Sequence, residues 1–374
     1  VATEQKLYSG IVYIGCYGGS AEPNLYVCGF DETGGTISIK QRLAGIEEAS
    51  FLAVHPDGRT LYAVSETAES HGEPGGSVYA LSIAPGSGEL ELIGDQLTHG
   101  EHPCFVSVSA SGNSVYVCNY SGSTAAVLPI DEDGGLLPAS QVIGCEGHAG
   151  PNPDRQEKSH PHSIRAFEGA PFVYIADLGT DSLHIYKPSE DGLSLHAHRV
   201  FKLAPGSGPR HAAFHRDLPY AYVLGELDSS VAVLHVDRES GTLTPVQTVS
   251  SLPEDFEGVS FSAEVALSPC GRFLYVSNRG HDSIAVFSIA EGTGELTPVE
   301  HVPSGGQNPR HFALSPDGRW LLAANQGSDA VIVFQRDPER AGYGKRTASS
   351  ASASRYASGF SELDPQTDES VMIR

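Results

Sequence analysis

The sequence predicts an all-β chain folded as a seven-bladed β-propeller with four-stranded antiparallel blades, and three observations carry that reading. A short apolar string recurs seven times: VYIGCY at 12, LYAVSE at 61, VYVCNY at 115, VYIADL at 173, AYVLGE at 221, LYVSNR at 274 and LLAANQ at 321. Six of these copies follow another apolar run and a turn, as in FLAVHPDGR at 51, EVALSPCGR at 264 and HFALSPDGR at 311. Among 374 residues there are 42 Gly and 24 Pro, enough turn-formers to separate many short strands.

Each repeat resolves into the same elements. The run before the turn is the first strand, lining a central channel, and the recurring string is the second, antiparallel to it across a hairpin turn of the Pro-Asp-Gly type. A third strand follows in SVYALSI, SLHIYKP, SVAVLHV, SIAVFSI and AVIVFQR, and an EL, TL or GL segment opens a fourth. Copies lie 47 to 58 residues apart, room for four strands that cannot bury both faces alone and must stack on neighbours. The first copy lacks its inner strand, so the C-terminus is expected to return and complete that blade. Residues 1–340 form the propeller on this reading. Residues 341–374 are a Ser/Ala-rich tail without strand alternation that reads as disordered, except for a strand-like VMIR at 371–374.

Charge narrows the partners. With 46 acidic side chains against 23 basic ones and a net charge of −23, long-range electrostatics oppose nucleic acid and anionic lipid. A small anionic ligand meets the same repulsion and needs a local cluster of Arg or His. No run approaches the roughly 18 apolar residues of a membrane span, and VATEQKLYSG lacks the pattern of a signal peptide. Six Cys without CxxC or Cys/His metal spacing read as buried thiols of a reducing, cytoplasmic compartment, with no metal and no cofactor implied. The pattern asks for no more than a monomer or weak homo-oligomer.

First-strand starts and second-strand ends fall at one mouth of the channel, and equivalent positions can be compared across blades. Second strands end in Cys16-Tyr17, Ser65-Glu66, Asn119-Tyr120, Asp177-Leu178, Gly225-Glu226, Asn278-Arg279 and Asn325-Gln326; first strands begin at Ser50, Cys104, His162, Arg210, Ala263-Glu264 and Arg310. Arg279, Glu226 and His162 break the repeat with costly side chains, and Arg210 and Arg310 stand in matching GPRH and NPRH strings. Asn119, Asp177, Asn278 and Asn325 also fit the role of strand-end residues bonding turn backbone, and His211 and His311 that of packing between blades. Glu66 and Glu264 fit either.

The strings RQEKSHPHS at 155, ADLGTDSLHIY at 176, GSGPRHAAFH at 206, SAEVALSPCGRFLYVSNRGHDSIAVF at 262 and NPRHFALSPDGRWLLAANQ at 308 resemble the seven-bladed propeller lactonases. This is the family of the bacterial propeller-type 6-phosphogluconolactonase, with the fungal carboxymuconate lactonizing enzyme as a distant relative. The resemblance spans about residues 10–335 and implies a site of His162, Arg210, Glu226 and Arg279. It implies metal-independent hydrolysis of a small anionic sugar lactone, most naturally 6-phospho-D-glucono-1,5-lactone of the pentose phosphate pathway. Glu226 or His162 would activate water, with Glu226 the expected proton acceptor, and Arg210 or Arg279 would face the oxyanion. Arg310 would hold the substrate's anionic tail, with His160, Glu264, Asn325 and Gln326 as further substrate contacts. Two alternatives stand beside this: a muconate-type cycloisomerase, whose enolate the same charges would stabilise, and a non-catalytic interaction platform. Against the platform, the unusual residues face the channel mouth and not an outer rim.

Overall fold

The structure is a computed structural model that describes residues 10–338, 343–352 and 371–373; among these are seven four-stranded antiparallel sheets and one two-stranded hairpin. The seven recurring strings are the second strands of blades 1 to 7: Ile11–Cys16, Thr60–Ser65, Ser114–Asn119, Val173–Asp177, Tyr220–Gly225, Phe273–Arg279 and Trp320–Asn325. They read as near-continuous apolar runs because neighbouring blades cover both of their faces; every residue of Thr60–Ser65 and Ser114–Asn119 is buried. The recurring Tyr adds a strap between blades. Tyr62 donates its hydroxyl to the Gly134 carbonyl at 3.0 Å, and Tyr222 donates to Gly294 at 3.1 Å, each in the following blade. A phenol body buried in the inter-blade core with its tip on a backbone acceptor leaves no polar group unpaired.

The inner strands are Leu52–Val54, Pro103–Val108, Pro161–Ala166, Pro209–Phe214, Phe261–Leu267 and Pro309–Leu314 for blades 2 to 7. In blade 1 that place is taken by Val371–Ile373, which pairs antiparallel with Ile11–Cys16 in the register Ile14↔Ile373, Gly15↔Met372, Cys16↔Val371. One blade thus joins strands from both ends of the described chain. Deleting 371–374 is expected to lower the melting temperature by several degrees, because it strips the channel edge of blade 1 of its partner. An unchanged melting curve would show that ring closure rests elsewhere.

The tail departs from its composition. Tyr343–Ser352 is the outer strand of blade 7, paired antiparallel with Ala330–Arg336 through two register shifts. An outer strand needs little from its side chains: the free backbone edge of the third strand recruits it, and hydrogen bonding outweighs weak propensity. The expectation of disorder therefore does not hold for 343–352, while its parts concerning 341–342 and 353–370 lie outside the described residues. Among the described residues no helix is long and apolar enough to cross a membrane.

Candidate active site

Four inner strands begin with Pro, which carries no N–H and suits the first residue of a strand: Pro103, Pro161, Pro209 and Pro309. The residue after each is skipped in the pairing with the second strand. Pro161 faces Asp177 and Ser163 faces Ala176, leaving His162 out of register, and Cys104, Arg210 and Arg310 are displaced the same way. Blade 6 has a larger shift between Ser262 and Val265, which holds Ala263 and Glu264. A bulge bends the strand and re-aims the extra side chain. Here the extra side chains at one mouth are Cys104, His162, Arg210 and Arg310. Gly208 precedes one of these prolines at φ +60, where a Cβ would lie 2.5 Å from Leu227 Cγ, so Gly is required to start the strand bearing Arg210.

Glu226 follows the second strand of blade 5, with its backbone N–H on the Gly208 carbonyl at 2.8 Å. Its carboxylate is 2 % exposed and is the hub of the site. Arg155 Nη2 donates to Oε1 at 2.7 Å, Arg279 Nη2 lies 3.2 Å from the same oxygen, Arg210 Nε is 2.9 Å from Oε2, and His162 Nε2 is 3.8 Å from Oε2. Burial alone would raise the pKa of Glu226, but Arg279, Arg210, His162 and Arg155 together hold it well below the usual carboxylate range. A carboxylate so held is a poor proton acceptor, which counts against the expectation that Glu226 is the base. Burial, assisted by Arg210, drives His162 well below its ordinary value against the pull of Glu226, so the imidazole is neutral at pH 7. Burial also brings Arg279 down to about 10. Arg210 Nε and Arg279 Nη2 approach Glu226 without good hydrogen-bond alignment and find no other acceptor among the described residues.

Arg310 stands across the mouth. Its guanidinium lies 5.6 Å from the Tyr17 ring centroid and donates from Nη2 to the Tyr17 hydroxyl at 3.2 Å, while that hydroxyl donates to Glu66 Oε2. Burial keeps Tyr17 a neutral phenol despite the opposing Arg310 charge.

The other expected contacts serve different purposes. His160 stacks on Tyr120 at 4.4 Å with Nδ1 3.1 Å from the Tyr120 carbonyl and Nε2 3.0 Å from Glu157, so both ring nitrogens brace the segment before blade 4. Asn325 donates to the Ser304 carbonyl at 3.1 Å, as Asn278 does to Ser251 at 2.8 Å, fastening the incoming connection to its blade. Gln326 is buried and its backbone N–H bonds the Asn308 carbonyl at 2.9 Å, the counterpart of the Glu226–Gly208 bond. Glu264 lies one layer deeper, bridging His211 Nδ1 at 3.0 Å and His311 Nε2 at 3.1 Å, and it lines a separate cavity of about 550 Å³.

Arg155 and Tyr120 were missed. Arg155 sits on the long connection between Gln141–Gly144 and Pro161–Ala166, off the repeat, and is fixed there by its neighbour Gln156, whose side chain bonds the Leu178 carbonyl and Asp181 Oδ1, both at 2.8 Å. Its signal was an Arg on an over-long loop in an acidic chain. Tyr120 follows the blade 3 second strand as Glu226 follows that of blade 5, and its hydroxyl lies 3.4 Å from Arg155 Nη2.

These pKa directions fix the response of stability to pH. His162 and His211, the latter pushed by burial down to about 3, stay neutral when folded but protonate near pH 6.5 when unfolded. Stability is therefore full above about pH 6.5 and falls as pH drops, with a slope approaching about 2.7 kcal/mol per pH unit from the two imidazoles. Urea melts at pH 7 and pH 5 measure it, and equal stabilities at the two would show that both rings titrate normally.

A propeller whose mouth gathers four arginines, a buried carboxylate and a neutral imidazole has the equipment of an enzyme for small anionic substrates. The chain belongs to the family described as lactonase, 7-bladed beta-propeller, whose model matches residues 11–354. It is 36 % identical over 331 residues to the 6-phosphogluconolactonase of Bacillus subtilis (88 % of this chain, 92 % of that one) and 32 % identical to that of Formosa agariphila (77 % and 81 %). Among solved structures it is similar to the periplasmic gluconolactonase of Pseudomonas aeruginosa, with a TM-score of 0.84 and 34 % identity over 92 % of this chain and 96 % of the other.

Proposed function

We propose that this chain hydrolyses a sugar lactone, with 6-phospho-D-glucono-1,5-lactone the substrate that best suits the site and 6-phosphogluconate the product. One observation carries the reading: Arg155, Arg210 and Arg279 converge on buried Glu226 beside neutral His162, with Arg310 opposite, in a chain of net charge −23. Four guanidinium groups outnumber Glu226, Glu66 and Glu264 and leave local positive charge for an anionic substrate.

In the reaction, water attacks the ester carbonyl while His162 Nε2 takes its proton, and the imidazolium forms 3.8 Å from Glu226, which stabilises it. The positive charge of Arg210 and Arg279 stabilises the developing oxyanion. Collapse of the tetrahedral intermediate breaks the ring C–O bond, and His162 returns its proton to the leaving alkoxide. Glu226 holds the arginines in place and takes no proton. Arg310, supported by Tyr17, receives the phosphate.

A second reading is an unphosphorylated aldonolactone. Glu66 beside Tyr17 favours a hydroxyl over an anion, and the Pseudomonas aeruginosa relative is described as a gluconolactonase. Acid release from 6-phosphogluconolactone and from gluconolactone, each corrected for spontaneous hydrolysis, separates the two. With the phosphorylated substrate, Arg310→Gln is expected to raise KM tenfold or more and leave the unphosphorylated rate within about twofold, a selectivity reporting loss of a charge-assisted contact. No hydrolysis of either lactone above background would sink both readings. Six free thiols, five of them buried, support a reducing, cytoplasmic setting.

A further inference from the structure

Arg210 is 2 % exposed, a costly place for a guanidinium. Its Nε meets Glu226, and its Nη1 donates to the Ala263 carbonyl and to His211 Nε2, the latter at 3.2 Å. A histidine can accept from an arginine only through an unprotonated nitrogen. His211 Nε2 is therefore the lone-pair nitrogen, and Nδ1 carries the hydrogen it donates to Glu264 Oε2 at 3.0 Å. The same oxygen receives His311 Nε2 at 3.1 Å. Phe51 and Phe105 stand edge-on to the His211 ring, at 6.0 and 5.2 Å between centroids, and hold its plane. All four polar members of this chain are nine-tenths buried or more; Arg210 reaches the mouth cluster through Glu226, and the His211 ring stands edge-on to that of His162 at 5.5 Å between centroids.

We propose that His211 and Glu264 are positioning residues for Arg210: Glu264 fixes the tautomer of His211, and the His211 Nε2 lone pair holds the guanidinium so that its Nε–H faces Glu226 and its charge stays beside the reacting carbonyl. The inference rests on the reading that Arg210 faces the oxyanion. It explains why the carboxylate of Glu264, at an inner-strand start like Arg210 and Arg310, goes to His211 and His311 and not to the cluster around Glu226. It also explains why His follows Arg in GPRH: the bulge sends Arg210 to the mouth, and the next residue turns into the channel beneath it.

The test compares three variants in the full chain. His211→Phe keeps the packing against Phe51 and Phe105 and removes the acceptor; it is expected to lower kcat about 10- to 100-fold with KM within about threefold, because the lost order acts on the transition state. His211→Gln, whose amide accepts on one side and donates on the other, is expected to restore kcat to within about fivefold of the parent. Histidine 15N spectra of the parent protein are expected to show His211 neutral and protonated on Nδ1. A His211→Phe variant of lowered stability but parental kcat overturns the proposal, as does a folded His211→Gln that stays as slow as His211→Phe. An Nε2-protonated His211 in the parent overturns it even if neither variant folds. Arg210→Gln is the control: if it retains parental kcat, the reading of the site itself fails, whereas a dead Arg210→Gln beside a fast His211→Phe removes only this inference.

Discussion

Replacing Glu226 by Gln is expected to lower kcat by 100-fold or more and to cost about 3–5 kcal/mol of stability, the larger figure for a pair broken from one side in a buried site. The substitution preserves shape and removes one charge, and that charge is shared by Arg155 at 2.7 Å, Arg210 at 2.9 Å and Arg279 at 3.2 Å. An amide can accept from one guanidinium but offers its NH2 to another, and buried Arg210 and the partly exposed Arg155 and Arg279 are left to repel. Activity falls because Arg210 and Arg279 no longer hold their aim at the substrate. The two effects are measured separately, by denaturant titration and by kcat on protein shown to be folded. An active Glu226→Gln of parental stability would mean that the arginines are held by something other than this carboxylate.

The fold was legible because the period is written in backbone chemistry. Each blade needs one strand covered on both faces and a hairpin turn, and blades 2 to 6 add a Tyr at the same place in that strand, so Tyr62, Tyr116, Tyr174, Tyr222 and Tyr275 recur in phase, all fully buried. The outer strand of blade 7 was not legible, since Tyr343–Ser352 is recruited by a free edge and carries no pattern of its own. Within the site, Glu226, His162, Arg210 and Arg279 stood out because each occupies a repeat position where packing alone would not keep a charge or an imidazole. Arg155 escaped because it lies outside the repeat, and comparison of equivalent positions is blind to loops. Glu264 differs from the other inner-strand starts, since the shift between Ser262 and Val265 is wider than the one-residue bulges of blades 4, 5 and 7, and its carboxylate goes to His211 and His311. The Pro at the start of those strands was the overlooked signal, since Pro followed by His or Arg marks a bulge that turns a polar side chain to the mouth.

His162→Asn is the second substitution with a large expected effect, a fall in kcat of about 10² to 10⁴ with the fold retained. Two acceptors compete for the water's proton, and the site separates them by electrostatics. Glu226 is held ionised by its arginines far below neutral pH, so it contributes no ionisation between pH 5 and 8 and little basicity. His162 is driven by burial and Arg210 to the neutral form, the form that can accept, and Glu226 Oε2 at 3.8 Å from Nε2 is placed to stabilise the imidazolium once the proton arrives. Protonation before the reaction abolishes the base, so activity is lost as pH falls through the depressed pKa of His162. The rate is therefore expected to stay level from pH 8 down past 6.5 and to decline only in more acid solution. Asn cannot titrate, so the residual activity of His162→Asn should lack that acid limb altogether, after subtraction of spontaneous lactone hydrolysis at each pH. If His162→Asn instead stays within a few-fold of the parent and keeps the limb, the proton goes to another group, and the role of His162 reduces to filling the bulge at the start of blade 4.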